Sequence, residues 1–141
     1  RTNPSGFTAL SDCRDKADVT DYPVGLTFIN ALRPITYRWD QRFNYWEKDE
    51  DGNAIVDHNV VPDGTHKKPK LVVGLLAQEV VPHEKSEGFD PDDDNKHIIV
   101  GGDPNRLNIT YGNLIMPLIN STQELDDKII ALTARVATLE G

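Results

Sequence analysis

The sequence predicts a small α+β domain that ends in a long helix, and three features of the 141-residue chain indicate this fold class. A short helical pattern at about 23–32 precedes the β-branched and aromatic run ITYRW at 35–39. A second apolar run, LVVGLLAQEV at 71–80, is typical of a buried strand that continues into a helical turn. From about residue 113 to the end, apolar residues recur with the spacing of a coiled coil.

The short helix is indicated by Leu26, Ile29 and Leu32, which recur at helical spacing. Asp21 is suited to cap this helix, and Pro23 is suited to its first turn. We therefore expect the helix to begin at Pro23.

Two strands are expected. In the first, the residues from Ile35 to Trp39 alternate, so that the odd-numbered side chains face the core. The second is expected at 71–76, followed by a helical turn at 77–80 that stops at Pro82. Proline lacks the amide proton that a helix interior needs, which is why we expect the turn to stop there.

The charged segment at 47–70 is expected to leave the domain as a protruding arm. Asp-Gly pairs at 51–52 and 63–64 are turn signals, and only short apolar pieces lie between them. This charge density leaves little to bury within one subunit, which favours a β-hairpin arm. The acidic segment at 86–97 is expected to be a loop.

The C-terminal segment at 113–141 follows a heptad pattern over nearly four repeats. Its a positions are Ile115, Thr122, Ile129 and Val136, and its d positions are Leu118, Leu125, Leu132 and Leu139. Branched residues at a with leucine at d favour two-stranded coils. Pro117 either bends this helix or lies in its first turn.

Charge and composition argue against several classes of function. A formal net charge of -8 argues against nucleic-acid binding through a basic surface. No apolar run approaches the roughly 20 residues that a membrane-spanning helix needs. One cysteine cannot form an internal disulfide, the histidines lack the spacing of metal ligands, and neither acidic cluster matches an EF-hand loop. We therefore predict no metal, no cofactor, no nucleic-acid partner and no membrane partner.

The stretch SDCRDK at 11–16 contains a serine and a lysine, which together can form a nucleophile and its base. A lysine serves as a base only when its amine is neutral, and lowering a lysine pKa from about 10.4 to about 7 costs about 4–5 kcal/mol. Burial in an assembled interface is one source of that shift. On a straight helix Ser11 and Lys16 would lie about 140° apart, so a direct contact needs a turn, a loop or two subunits.

The same stretch is also compatible with a surface turn that has no catalytic role. In that interpretation Ser11 and Asp12 cap the turn, while Arg14, Asp15 and Lys16 form a solvated face. A serine and a lysine close together in sequence are common. From these residues alone, the surface turn is the simpler interpretation.

The order of four sequence blocks is more specific than any one of them. The blocks are SDCRDK, GLTFINALRPITYRW, GLLAQEV and the terminal LIMPLINSTQELDDKIIALTARVATLE. In this order they closely resemble the self-cleaving C-terminal intramolecular chaperone domain of phage tail spikes, tail fibres and endosialidases. The resemblance covers nearly the whole chain from Ser11 onward and is weakest at 47–70 and 86–97.

That resemblance implies an activity and a site. Such domains trimerise at the end of a fibre subunit, help three chains to fold into an intertwined stalk, and then cut themselves off. Carried onto this chain, the resemblance implies a scissile bond between Leu10 and Ser11, with Ser11 as nucleophile and Lys16 as base. Asp12 and Arg14 are candidates for supporting residues. The implied coil is three-stranded, in contrast to the preference of its a and d residues.

The resemblance also implies partners and a location. The chain would belong to a phage tail-fibre or tail-spike precursor made in the host cytoplasm, and this domain would be released after the cut. Its partners would be further copies of itself, as a homotrimer, and the upstream stalk of the same polypeptide. Residues 1–10 would end that stalk or link to it, 11–112 would form the chaperone and processing domain, and 113–141 the coil.

Two other functions stay open on the sequence alone. One is a folding cap that trimerises without cutting and stays on the fibre. The other is a receptor-binding or glycan-binding fibre tip that uses an aromatic cluster, namely Tyr37, Trp39, Phe43, Tyr45 and Trp46.

Overall fold

A computed structural model describes residues 11–93 and 96–141 of the chain. Its elements, in chain order, are α1 (Leu26–Ala31), β1 (Ile35–Arg38), β2 (Leu71–Gly74), α2 (Ala77–Ser86), β3 (Val100–Asp103), β4 (Arg106–Ile109) and α3 (Ile115–Glu140). Short 3-10 helices lie at Cys13–Asp15, Arg42–Tyr45 and Tyr111–Leu114. The mixture of helices and strands and the long C-terminal helix confirm the predicted fold class. The predicted linker at 1–10 lies outside the described residues.

Within the described ranges the strands form two antiparallel pairs. β1 pairs with β2, so that Ile35 lies opposite Gly74, and β3 pairs with β4 as a hairpin. The alternation predicted for β1 is confirmed, because its residues are half-buried and exposed in turn. Trp39 lies one residue beyond the strand and is 49% exposed, so its predicted place facing the core is wrong. The strand ends before it, and the chain turns there toward the next 3-10 helix.

The buried core lies where α1, α2 and the start of β3 meet. Its buried apolar side chains are Val24, Phe28, Val80, Ile98, Ile99 and Val100. β4 and the 3-10 helix before α3 add half-buried apolar side chains around it, including Leu107 and Leu114. The core therefore occupies one end of the molecule, and most of α3 extends beyond it.

A buried carboxylate joins α2 to β3. Glu84 is 0% exposed, and it accepts hydrogen bonds from the backbone N–H groups of Ile98, Ile99 and Val100 at 2.9, 2.8 and 2.7 Å. These three charge-assisted bonds satisfy a carboxylate that has left water. They hold the residues that lead into β3 against the second half of α2.

α1 begins later than the predicted residue 23, at Leu26. A contact with α3 explains the difference: Asn120 donates to the carbonyls of Tyr22 and Val24, and Glu124 accepts from the Leu26 N–H. In a helix that began at residue 23, the Leu26 N–H would have bonded the Tyr22 carbonyl. Because α3 takes both groups, the helix starts after them.

α2 does not stop at Pro82, as predicted, but continues to Ser86. The proline removes the hydrogen bond that would reach the carbonyl of Gln78, an exposed residue, so that this carbonyl has access to water. Val80 and Glu84 are buried on either side of the proline. Their tertiary contacts outweigh the local cost of the proline.

α3 presents one face to its own domain and leaves the rest in solvent. Pro117 lies in the first turn, where no helical N–H is needed, so the helix begins there and is not bent by it. Pro117 and Ser121 are buried, and Asn120 and Glu124 are half-buried. From Leu125 to the end, every residue is exposed.

The segment at 47–70 forms only a short hairpin. An isolated antiparallel bridge joins Lys48 to Ala54, and no strand follows within the rest of this segment. The Trp46 indole N–H donates to the Asp57 carbonyl at 2.8 Å, which ties the middle of the segment to the domain. The predicted hairpin is therefore limited to the first part of the segment. Most residues of the whole segment at 47–70 are exposed.

Candidate active site

Ser11 and Lys16 meet across a single 3-10 turn. The Lys16 Nζ donates a hydrogen bond to the Ser11 Oγ at 2.7 Å. Two backbone bonds close the turn, from the Asp15 N–H to the Asp12 carbonyl at 3.2 Å and from the Lys16 N–H to the Cys13 carbonyl at 3.3 Å. The contact that a straight helix would forbid is thus made within one chain by a turn, which was one of the arrangements left open by the sequence.

Asp12 and Arg14 lie in the same turn and form an ion pair. The Asp12 Oδ1 accepts from the Arg14 N–H and Nε–H, each at 2.9 Å, and its Oδ2 accepts from Nη2 at 2.6 Å. The bonded guanidinium of Arg14 holds the pKa of the Asp12 carboxyl below its usual value. These bonds run between the two candidate supporting residues, and they stabilise the turn that carries Ser11 and Lys16.

The turn is open to solvent in the single chain. Ser11 and Lys16 are exposed, and none of the residues in the 3-10 turn between them is buried. The contact of a nucleophile with its base is therefore present, but the dry surroundings that favour a neutral lysine are not. Leu10, the other half of the predicted scissile bond, lies outside the described residues.

α3 holds the segment that follows the turn. Asn120 and Glu124 bond the backbone at 22–26 through contacts of 2.7, 2.9 and 3.2 Å. Gly25 leaves room for this contact, because a Cβ atom there would collide with the Glu124 carboxylate. Neither Asn120 nor Glu124 was among the predicted site residues. No sequence signal singles them out, because they are the two ends of the polar run NSTQE at 120–124.

The predicted coiled-coil seam lies on a face of α3 that its own domain does not cover. The seam residues Leu118, Leu125, Ile129, Leu132, Val136 and Leu139 are 42–85% exposed. With about 3.6 residues per turn, the seam lies about 100° around the helix from Pro117 and Glu124. The seam residues therefore do not pack on their own domain.

A groove of about 500 Å³ opens between β1 and β4, and its lining includes Tyr37, Trp39 and Tyr111. The rings of Tyr37 and Trp39 meet edge to face, with their centroids 5.2 Å apart. Tyr45 and Trp46 instead contact histidines of the segment at 47–70. Four of the five aromatic residues predicted as one cluster thus contribute to three separate ring contacts.

Among the residues that the structure describes, no group of His, Cys, Asp and Glu side chains is arranged to hold a metal ion. None of the helices in these ranges has both the length and the apolar character needed to cross a membrane.

Cys13 is a free, exposed thiol inside the Ser11–Lys16 turn, and it is therefore the natural internal control for the serine.

Comparison with known proteins identifies a family. A family model described as the chaperone of endosialidase, whose name designates a peptidase, matches residues 11–88. The matched range covers more than half of the chain and includes both Ser11 and Lys16. No curated protein and no solved structure matches the chain.

Proposed function

The chain belongs to the chaperone of endosialidase family, as its sequence blocks predicted, and from this premise we propose a function in two stages. The chain first trimerises at the end of a phage tail fibre or tail spike and assists the folding of that fibre. It then releases itself by cutting the Leu10–Ser11 bond, with Ser11 as nucleophile and Lys16 as base. The 2.7 Å contact between the Lys16 Nζ and the Ser11 Oγ supports the second stage most directly.

The cut proceeds as an N-to-O acyl shift followed by hydrolysis. The neutral Lys16 amine takes the proton of the Ser11 hydroxyl while Oγ bonds to the carbonyl carbon of Leu10. The carbon–nitrogen bond then breaks, and the lysine ammonium gives the proton to the Ser11 amine, which leaves an ester between Leu10 and Oγ. Water hydrolyses the ester to the Leu10 carboxylate and restores the Ser11 hydroxyl.

The base acts within its own chain in this proposal. Because Lys16 already contacts Ser11, no second copy is needed to bring the amine to the hydroxyl. A cover is needed for another reason, since both groups are exposed and exclusion of water favours a neutral amine. We infer that neighbouring copies or the folded stalk supply this cover, so that the cut waits for correct assembly.

The extent of exposed surface supports assembly. The single chain has an accessible surface of 11253 Å². This is about one and a half times the roughly 7,300 Å² expected of a compact monomer with the same mass. The uncovered heptad seam of α3 is the kind of surface that packs against further copies of the same helix. Three copies rather than two follow from the family resemblance.

The intact mass and N-terminal sequence of the purified chain test this function. The assembled native chain is expected to yield a product that begins at Ser11. Ser11→Ala and Lys16→Ala are each expected to abolish the cut, because one removes the nucleophile and the other removes its base. Cys13→Ala is the matched control, since it changes the exposed thiol in the same turn and is expected to cut at the native rate.

Two other outcomes would each contradict part of the proposed function. A native chain that trimerises and stays uncut would be a folding cap, and the peptidase assignment would be lost. A cut that persists in Ser11→Ala but disappears in Cys13→Ala would make the thiol the nucleophile.

A further inference from the structure

We propose that the Asp12–Arg14 ion pair is a clamp that positions Lys16 on Ser11. Asp12 and Arg14 are then positioning residues of the cut, not catalytic ones, because their side chains bond each other. The effect on cutting rests on the proposed function. The effect on the contact between Lys16 and Ser11 does not.

The clamp consists of one carboxylate that binds one residue at three points. The Asp12 Oδ1 caps the turn by accepting from the Arg14 backbone N–H, and it also accepts from the Arg14 Nε–H. The Asp12 Oδ2 accepts from the Arg14 Nη2 at 2.6 Å. A two-pronged pair of this kind fixes the orientation of both side chains, and the capping bond fixes the backbone between them.

The turn depends on this clamp because the core does not hold it. None of the turn residues is buried, and the backbone bonds that close it are 3.2 and 3.3 Å long. A single 3-10 turn is marginal in water when no packing supports it. Lys16 directly follows the turn and Ser11 precedes its N-cap residue Asp12, so an open turn separates them.

The clamp operates across the neutral pH range. Its bonds to Arg14 lower the pKa of the Asp12 carboxyl. A carboxyl with a lowered pKa contributes stability above its unfolded pKa and loses it as the pH falls through the folded pKa. The charged partner that faces Asp12 is Arg14, on the same turn.

Three variants of the 141-residue chain separate the clamp from general stability. Asp12→Ala removes the cap and the ion pair, whereas Asp12→Asn keeps an oxygen that accepts from the Arg14 N–H. Glu79→Ala is the matched control, because Glu79 forms the same two-pronged pair with Arg33 elsewhere on the surface. Two readouts are measured, namely the rate of the cut and the NMR signal of the Lys16 ammonium, which persists when its protons are held in a hydrogen bond.

The expected result is a specific loss in Asp12→Ala. Its cut is expected to slow by about tenfold, the effect of losing a capping bond, and its Lys16 signal is expected to disappear. Asp12→Asn keeps the capping acceptor but loses the ion pair, so it is expected to recover only part of the rate and the signal. Glu79→Ala is expected to keep both at the native level, and all three melting temperatures are expected to stay close to the native value.

Several results would overturn the clamp. One is an Asp12→Ala chain that keeps both the native rate and the Lys16 signal. Another is an equal loss in Asp12→Ala and Glu79→Ala, or a large fall in the melting temperature of Asp12→Ala, because either shows a general structural role. If the native chain does not cut, the proposed function fails, and the Lys16 signal alone decides whether the clamp exists.

Discussion

The Leu132→Asp variant is expected to lose its assembly and, with it, the cut. Leu132 is a d position of the seam and is 58% exposed in the single chain. In a three-stranded coil the substitution places three carboxylates in one buried layer, where each unpaired charge costs several kcal/mol. Association is therefore expected to weaken by more than about a thousandfold. Analytical ultracentrifugation measures the assembly, and intact mass measures the cut.

Ala134→Asp is the matched control for this prediction. It adds the same carboxylate two residues away, on the side of α3 opposite the seam, at a helix-propensity cost of about 0.5 kcal/mol. This variant is expected to assemble and to cut as the native chain does. A Leu132→Asp chain that stays trimeric would contradict the seam. A monomeric chain that still cuts at the native rate would show that the turn needs no cover from other copies.

The Glu84→Ala variant is expected to lose about 3–9 kcal/mol of its free energy of unfolding. The backbone N–H groups of Ile98, Ile99 and Val100 lose their buried acceptor, and each unsatisfied group costs about 1–3 kcal/mol. Domains of this size are stable by only about 5–15 kcal/mol. The variant is therefore expected to be close to unfolding in water, as measured by urea denaturation followed through tryptophan fluorescence.

Two further variants serve as controls for the Glu84→Ala measurement. Gln78→Ala changes an exposed residue on the same helix and is expected to alter the free energy of unfolding by less than about 0.5 kcal/mol. Glu84→Gln keeps the size of the side chain but turns an N–H₂ group toward a backbone donor, so an intermediate loss is expected. If the free energy of unfolding of Glu84→Ala is within about 1 kcal/mol of the native value, water has replaced the carboxylate as the hydrogen-bond acceptor. The three hydrogen bonds are then not essential for stability.

Local sequence patterns predicted the elements whose determinants are local. The alternation in β1 follows from the pleat of a strand with one covered face. The seam of α3 follows from heptad spacing, and its exposure in the single chain agrees with a surface that its own domain does not use. The position of Pro117 in the first turn follows from the missing amide proton.

The wrong predictions arise where a distant side chain decides the outcome. The start of α1 is set by Asn120 and Glu124, which lie almost a hundred residues away in sequence. α2 passes through Pro82 because Glu84 is buried against the entry to β3. No local pattern contains these contacts, since they depend on how the elements pack.

The candidate site was predicted in part from the sequence, and its geometry was left open. Ser11 and Lys16 were predicted as a pair through family resemblance, but their spacing alone left a turn, a loop or two subunits open. Asp12 was expected to help cap a turn, and it does so. Its three-point contact with Arg14 depends on the side-chain geometry of that turn, which the order of residues does not specify.

α3 is attached to its own domain through Asn120 and Glu124 and is free along its seam. In a three-stranded coil, the pairing of the helices then determines the axial height of each domain. A slip of one heptad would displace one domain by about 10.5 Å along the axis, and its Ser11 turn with it. In a trimer of the proposed kind, only the in-register coil would place the three Ser11 turns at the same height along the axis, so the attachment of α3 to its own domain would also align the three sites.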